Sequence, residues 1–323
     1  MTPPQEEARA RRVSRIAELL EIPLFVPPSD RRILKFSPFG GNGLLLSEDP
    51  ILFSPFEVEP PDYLELRVGD PVEELSRLEE LMVTSETPYG VLSRLEGTRI
   101  LDGEPVLKEV LSVPLEGDVR FLESVAERAD KALSRAFEEL STGMSRRELE
   151  ASIQARAWEV GLRCDVAIAI GEESFSPLGP REDRVVEKGD VLLMRAMFED
   201  EGYTIPYVRT FLTERDFEVE NRLGMVMQAL RDAVSLVSPG YPSAEVRDAL
   251  VDAHRRFGFS GPAVPASPAG GFSAPAFEPY EVLQRNQVFT LFAAVPARKS
   301  LISWSATVLV SIPVRILDRF GLG

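Results

Sequence analysis

The stretch Gly189–Phe211, GDVLLMRAMFEDEGYTIPYVRTF, constrains this chain more than any other. Val191, Leu192, Leu193 and Met194 form an apolar run. Glu199, Asp200, Glu201 and Gly202 form an acidic cluster that ends in glycine, and a second run leads into Arg209, Thr210 and Phe211. Two extended runs joined by a short polar turn with glycine predict a β-hairpin.

The rest of the chain is long enough to build on that hairpin. With 323 residues it is long for one domain and comfortable for two. Apolar residues make up 44% and charged residues 27%, the balance of a globular protein with a real core. The formal net charge of −16 repels phosphate backbones and anionic lipid, so free nucleic acid is not expected as a partner. A basic protein partner is compatible with it. No apolar run approaches the roughly eighteen residues a membrane span needs. The start, MTPPQEEARARR, has no apolar segment of the kind a secretory signal carries. The single cysteine, Cys164, allows no internal disulfide, and a reducing cytoplasm is expected. Cys164 lies among apolar residues with no base beside it, so it reads as a buried thiol rather than a nucleophile.

In chain order, residues 5–21 read as an amphipathic helix through Ala8, Val13, Ile16, Leu19 and Leu20. A short strand follows at Ile22–Val26, stopped by Pro27 and Pro28. The cluster Gly40-Gly41-Asn42-Gly43 reads as a hairpin turn before strands at Leu44–Leu46 and Ile51–Phe53; no helix or lysine follows it, so it is not a phosphate cradle. Glu74–Met82 is expected as a helix and Val106–Val113 as a strand that closes this part. Pro114–Gly117 is the best linker. Beyond it Asp118 is expected to cap a long helix through Leu122, Val125, Ala129, Leu133 and Phe137, ended by Gly143. Ser145 with Glu148 predicts a capping box for the next helix, which stops at Gly161. Then come a strand at Val166–Ile170, the hairpin, a helix over Glu220–Val237, and a second over Ala244–Phe257 capped by Ser243. A Pro/Ala/Gly/Ser-rich stretch, Gly261–Tyr280, precedes strands at Val288–Ala293 and Thr307–Val310.

The frame Gly189, Asp190, Gly202, Tyr203, Arg209, Thr210 and Phe211 resembles the heart of the creatinase, prolidase and aminopeptidase P superfamily, the pita-bread metallopeptidases. Its pattern is GD, an apolar run, D-x-G, a turn, then GY-x-x-D-x-TRTF. The segment ERADKALSRAFEELSTGMSRRELEASIQARAWEVGL is similar to the opening of that domain, Pro239-Gly240 to its PG, and the last two strands to its closing pair. The resemblance covers residues 118–311 well and 22–113 loosely. It implies an α+β pita-bread domain at 116–323, preceded by a smaller α/β creatinase-N-like domain at 1–115.

Active relatives hold two divalent metals with two Asp, one His and two Glu, which activate a water. Aligned on the motifs, the two aspartates fall on Arg195 and Pro206, and the two glutamates on Phe292 and Ser305. The histidine falls near Ala263–Pro268, and a loop histidine falls on Pro177. The one histidine in the chain, His254, lies in the helical run Asp252–Arg256 and reads as a solvated surface residue. No metal or other cofactor is therefore expected. Arg195 reads either as a replacement salt bridge to Glu199, Asp200 or a neighbouring strand, or as an anchor for a carboxylate or phosphate in the old cleft. Pro206, Tyr207, Phe272 and Phe292 would make that cleft bulky. Arg195, Tyr203, Pro206, Arg209, Phe292 and Ser305 are the candidate ligand-binding residues of the former cleft, although Tyr203 and Arg209 also match residues that shape the family's core.

The expected function is a catalytically inactive Xaa-Pro peptidase-like protein that binds a peptide or protein, as the metal-free pita-bread domains of histone-chaperone subunits suggest at the level of fold. A different enzyme acting on a small anionic substrate is the first alternative, and a metallopeptidase with relocated ligands the second. The family commonly dimerises, so a homodimer is implied by the resemblance.

Overall fold

The computed structural model describes residues 4–111, 114–175, 183–256, 267–268 and 282–321. The chain divides into two compact units at residue 120.

In the first unit, helix α1 (Pro4–Leu19) is followed by β1 (Leu24–Val26), a 3-10 turn, and β2 (Gly43–Leu46), β3 (Ile51–Ser54) and β4 (Glu65–Val68). Short helix α2 (Val72–Leu75), β5 (Glu80–Val83), α3 (Tyr89–Leu92), β6 (Arg99–Asp102) and α4 (Glu104–Leu111) complete it. The six strands form one sheet in the order β4-β3-β2-β1-β5-β6. β1, β2 and β3 pair antiparallel, whereas β4, β5 and β6 join in parallel. Leu24, Phe25 and Val26 are buried on both faces, as a central strand without alternation requires. Gly41 carries φ +49°, and a Cβ there would lie 2.1 Å from the Phe53 carbonyl oxygen, so the glycine cluster serves the turn.

Two expectations fail in this unit. Residues 74–82 are not one helix: α2 lasts one turn, and Leu81 and Val83 then alternate inward from β5. Residues 106–111 are not a strand, and the rest of the expected strand, 112–113, lies outside the described residues. Leu107, Val110 and Leu111 are buried at helical spacing along α4.

The second long helix, α5 (Glu116–Glu138), starts two residues before the expected cap. Asp118 lies inside the first turn, fully buried, where its carboxylate accepts from the Leu115 amide at 2.7 Å and pairs with Arg12. It serves the helix N-terminus from within.

In the second unit α5 buries Leu122, Val125, Ala129 and Leu133 completely, each a contribution of roughly 1.5–3 kcal/mol for a large side chain. α6 (Arg146–Glu159) opens with the expected capping box and ends at Gly161, φ +75°. β7 (Arg163–Ile170), a 3-10 turn (Gly171–Phe175), β8 (Val191–Asp200), β9 (Tyr203–Leu212), α7 (Phe217–Ser235) and α8 (Ser243–Arg256) follow. β10 (Ser267–Pro268), β11 (Val288–Ala297), β12 (Ser300–Leu309) and β13 (Arg315–Ile316) end the chain. The strands form two antiparallel sheets, β7-β8-β9 and β10-β11-β12-β13.

The predicted hairpin is β8–β9. Asp200 pairs with Tyr203, and Glu201 and Gly202 between them have φ of +47° and +77°, the double left-handed geometry of a two-residue hairpin turn. β11 and β12 form a second hairpin with Phe292 opposite Ser305. α7 and α8 cover it through Val226, Leu230, Val246 and Leu250, packed on Phe289, Leu291 and Val308. Among the described residues no helix is long and apolar enough to cross a membrane.

Candidate functional site

The two hairpins meet where β9 runs beside β12. Side chains make this seam. The Val208 amide donates to Ser305 Oγ at 3.0 Å. Thr210 Oγ1 donates to the Ser303 carbonyl at 3.0 Å and accepts from the Ser303 amide at 2.9 Å. Ser303 Oγ in turn donates to the Ala293 carbonyl. Sequence reasoning singled out Ser305 and missed Ser303, because a serine in a strand carries no signal of what it faces.

Behind the seam Arg209 is fully buried. Its guanidinium donates to the Ser305 carbonyl and Oγ at 2.8 and 2.9 Å, to Asp318 Oδ2 at 2.8 Å, and through Nε to the Phe320 carbonyl at 3.0 Å. It also stacks on the Trp304 ring, 4.4 Å from its centroid, and lies 5.1 Å from that of Tyr207. Asp318 is completely buried, and burial pushes its carboxyl up to about 6 although Arg209 pulls the other way. Its other oxygen accepts from the Thr307 amide. Tyr207 hydroxyl donates to Asp130, whose carboxylate also accepts from the Arg319 and Phe320 amides. Burial first, and then Asp130, hold the Tyr207 phenol well above its ordinary range. This network ties the end of the chain to β9 and α5.

The candidate residues therefore separate into two groups. Tyr203, Arg209 and Ser305 have no exposed surface and are structural, which corrects their assignment to a ligand-binding cleft. Tyr203 packs edge-on against Phe121 at 4.9 Å. Arg195, Pro206 and Phe292 remain at least partly exposed. Arg195 and Pro206 share one face of the β8–β9 sheet with Met197 and Val208, since Arg195 pairs with Val208 and Met197 with Pro206.

Among the described residues Arg195 makes no ion pair, so the expected salt bridge to Glu199, Asp200 or a neighbouring strand is not found there. Asp200 is taken by Arg128 at 2.7 Å, and Glu199 is buried. Among the described residues the one contact of its guanidinium is Nη2 to the Ser174 carbonyl at 3.5 Å. Pro177, Ala263–Ala266 and Phe272 lie outside the described residues. His254 lies on α8. Cys164 is half-buried, and burial pushes its thiol up to about 12, so it is no thiolate nucleophile at neutral pH.

These residues do not fit a dimetal centre. Hard divalent ions need charged oxygen or imidazole donors. Arg195 offers a cation, Pro206 and Phe292 offer no lone pair, and the Ser305 hydroxyl already serves Val208 and Arg209. Among the described residues no group of three or more His, Cys, Asp or Glu is gathered closely enough to hold a metal ion. A cavity of about 670 Å³ opens elsewhere in the second unit, beside Arg184, Asp190, Asp216, Arg298 and Lys299. Its cations are paired, Arg184 with Asp190 at 3.1 Å and Lys299 with Glu172 at 3.0 Å.

Comparison with known proteins bears on this arrangement directly. The chain is 25% identical over 229 residues to an Xaa-Pro dipeptidase of Pyrococcus horikoshii, a match covering 65% of each protein. It is 24% identical over 160 residues to the Xaa-Pro dipeptidase of Pyrococcus furiosus, covering 48% of this chain and 46% of that one. The matches thus span less than two thirds of these relatives. The fold is similar to that of the prolidase from Pyrococcus horikoshii OT3, with TM-score 0.83, 20% identity, and 95% and 98% of the two chains covered. It is equally similar to an X-Pro aminopeptidase from Thermotoga maritima, with TM-score 0.83, 20% identity, and 94% and 97% covered. These neighbours share the pita-bread fold with its N-terminal domain. A profile of metallopeptidase family M24 matches residues 120–310, more than half of the sequence, and the chain belongs to that family.

Proposed function

We propose that this chain is a non-catalytic member of its family that binds a peptide or protein segment on the exposed face of β8 and β9. The carrying observation is the donor set. The positions that match the family's metal-binding carboxylates are held by Arg195, Pro206, Phe292 and Ser305, and no described carboxylate cluster replaces them. The Xaa-Pro dipeptidase relatives act, by name, on peptides ending in proline, so a surface of this descent suits an extended chain.

A second reading, an enzyme acting on a small anionic substrate, draws on the unpaired Arg195. It also needs a base or nucleophile, and no described carboxylate lies within ion-pair distance of that guanidinium. The binding reading is therefore preferred. A homodimer in the reducing cytoplasm is proposed with it.

The test is metal content of the purified protein, with release of the N-terminal residue from Xaa-Pro peptides measured after adding manganese, cobalt or zinc. No stoichiometric metal and no turnover are expected. Two metals per chain, or metal-dependent cleavage, would refute the proposal.

A further inference from the structure

Resting on that binding reading, we infer that Arg195 is the receptor for a carboxylate of the bound peptide. Arg195 is the outward residue at the middle of β8 and is exposed, while Met194 and Ala196 on either side point into the core. Scarcity of acids does not explain its lack of a partner, for the chain has 52 Asp and Glu against 36 Lys and Arg. Of the neighbouring acids, Asp165 is exposed on the same sheet face, opposite Met197, with no ion pair to Arg195 among the described residues, and three others are engaged elsewhere. Asp200 binds Arg128, Glu173 accepts from the Ile170 amide at 3.0 Å, and Glu199 is buried within its strand.

The one contact that Arg195 makes orients it. Ser174 is buried and fixed at both ends of its hydroxyl, which donates to the Gly171 carbonyl at 2.6 Å and accepts from the Leu301 amide at 2.7 Å. Its carbonyl contacts Nη2, and the remaining N–H donors of the guanidinium fork have no acceptor among the described residues. Apolar side chains lie around it, together with the exposed Asp165. Met197 is 47% exposed on the same face, Phe175 beside Ser174 is 49% exposed, and Pro206 and Val208 are half-buried across the pair. A planar fork whose other donors have no acceptor among the described residues, beside Met197, Pro206 and Val208, matches a carboxylate, which it can grip through two parallel hydrogen bonds. The carboxylate can belong to a chain terminus or to an Asp or Glu side chain.

The test is fluorescence anisotropy of the full-length protein with fluorescein-labelled random hexapeptide pools. One pool lacks Asp and Glu and has a free C-terminal carboxylate. The second is the same pool amidated, and the third is amidated with one fixed Glu. The carboxylate-bearing pools should bind about tenfold more tightly than the neutral amidated pool. Preference for the first or the third pool identifies the source of the carboxylate. Arg195→Ala should erase the difference and Arg195→Lys retain part of it, with thermal melting confirming that both variants fold. Equal binding of all pools, or a preference that survives Arg195→Ala, would overturn the inference and leave peptide binding standing. Failure of every pool to bind would overturn the binding reading and the inference with it.

Discussion

Two arginines of one hairpin, Arg209 and Arg195, have opposite fates. Arg209 is buried, stacked on Trp304, and hydrogen-bonded to Ser305, Asp318 and Phe320. Arg195 is exposed, with one long contact to Ser174. The first ties β9 to the end of the chain, and the second stands at the position proposed above to match a metal-binding aspartate of the family. The contrast shows that the architecture around the seam does not need a metal to close it. Hydroxyls of Ser305 and Thr210 already join β9 to β12.

The sharpest way to break the comparison is to remove Arg209. Arg209→Ala leaves Asp318 buried without its cation and should lower stability by about 3–5 kcal/mol in denaturant unfolding. The double variant Arg209→Met with Asp318→Leu should recover much of that loss, because it removes both charges. A double variant no better than the single would mean that the ion pair is not the source of the loss.

The next effect depends on pH. Asp318 has a folded-state value of about 6, above the roughly 3.9 of an unfolded aspartate, so the folded chain binds its proton more tightly. Its contribution is fully present below about pH 4 and is lost as pH rises through about 6. The span is about 2–3 kcal/mol from the linkage relation. Melting of Asp318→Asn should lack this slope, so the variant gains relative to the wild type between pH 4 and 7. Parallel pH profiles would show that Asp318 does not titrate in this range.

Ser305→Ala should cost about 1–3 kcal/mol, since the Val208 amide and Arg209 Nη1 both lose a buried acceptor. An unchanged melting temperature would mean that the seam has another closure. Arg195→Ala should change stability by no more than about 0.5 kcal/mol, as befits an exposed side chain without an ion pair. A larger loss would place Arg195 with Arg209 among the structural residues.

Much of the fold was legible because its signals are local. The turn at Glu201-Gly202 requires left-handed backbone, and glycine supplies half of it. The capping box at Ser145 and Glu148 declares itself by spacing, and the structure contains both of its hydrogen bonds. Residues 74–82 and 106–111 misled for a physical reason. Short apolar runs satisfy helix and strand periods alike, and pairing with β1 or packing of α4 then decides. In the site, the residue types at the motif-matched positions were readable from the sequence, whereas the burial of Tyr203, Arg209 and Ser305 was not. Asp318 escaped notice because its partner lies 109 residues earlier.

The sequence by itself therefore determined the hairpin, its place in the superfamily pattern, and which functional groups could stand at the seam, since residue identity fixes the available lone pairs and charges. Only the tertiary structure decided that Arg209 is neutralised by Asp318 and that Arg195 has no counter-ion among the described residues. Ion pairing is settled by distances of a few ångströms between distant parts of a chain, and those distances exist only after the strands have packed.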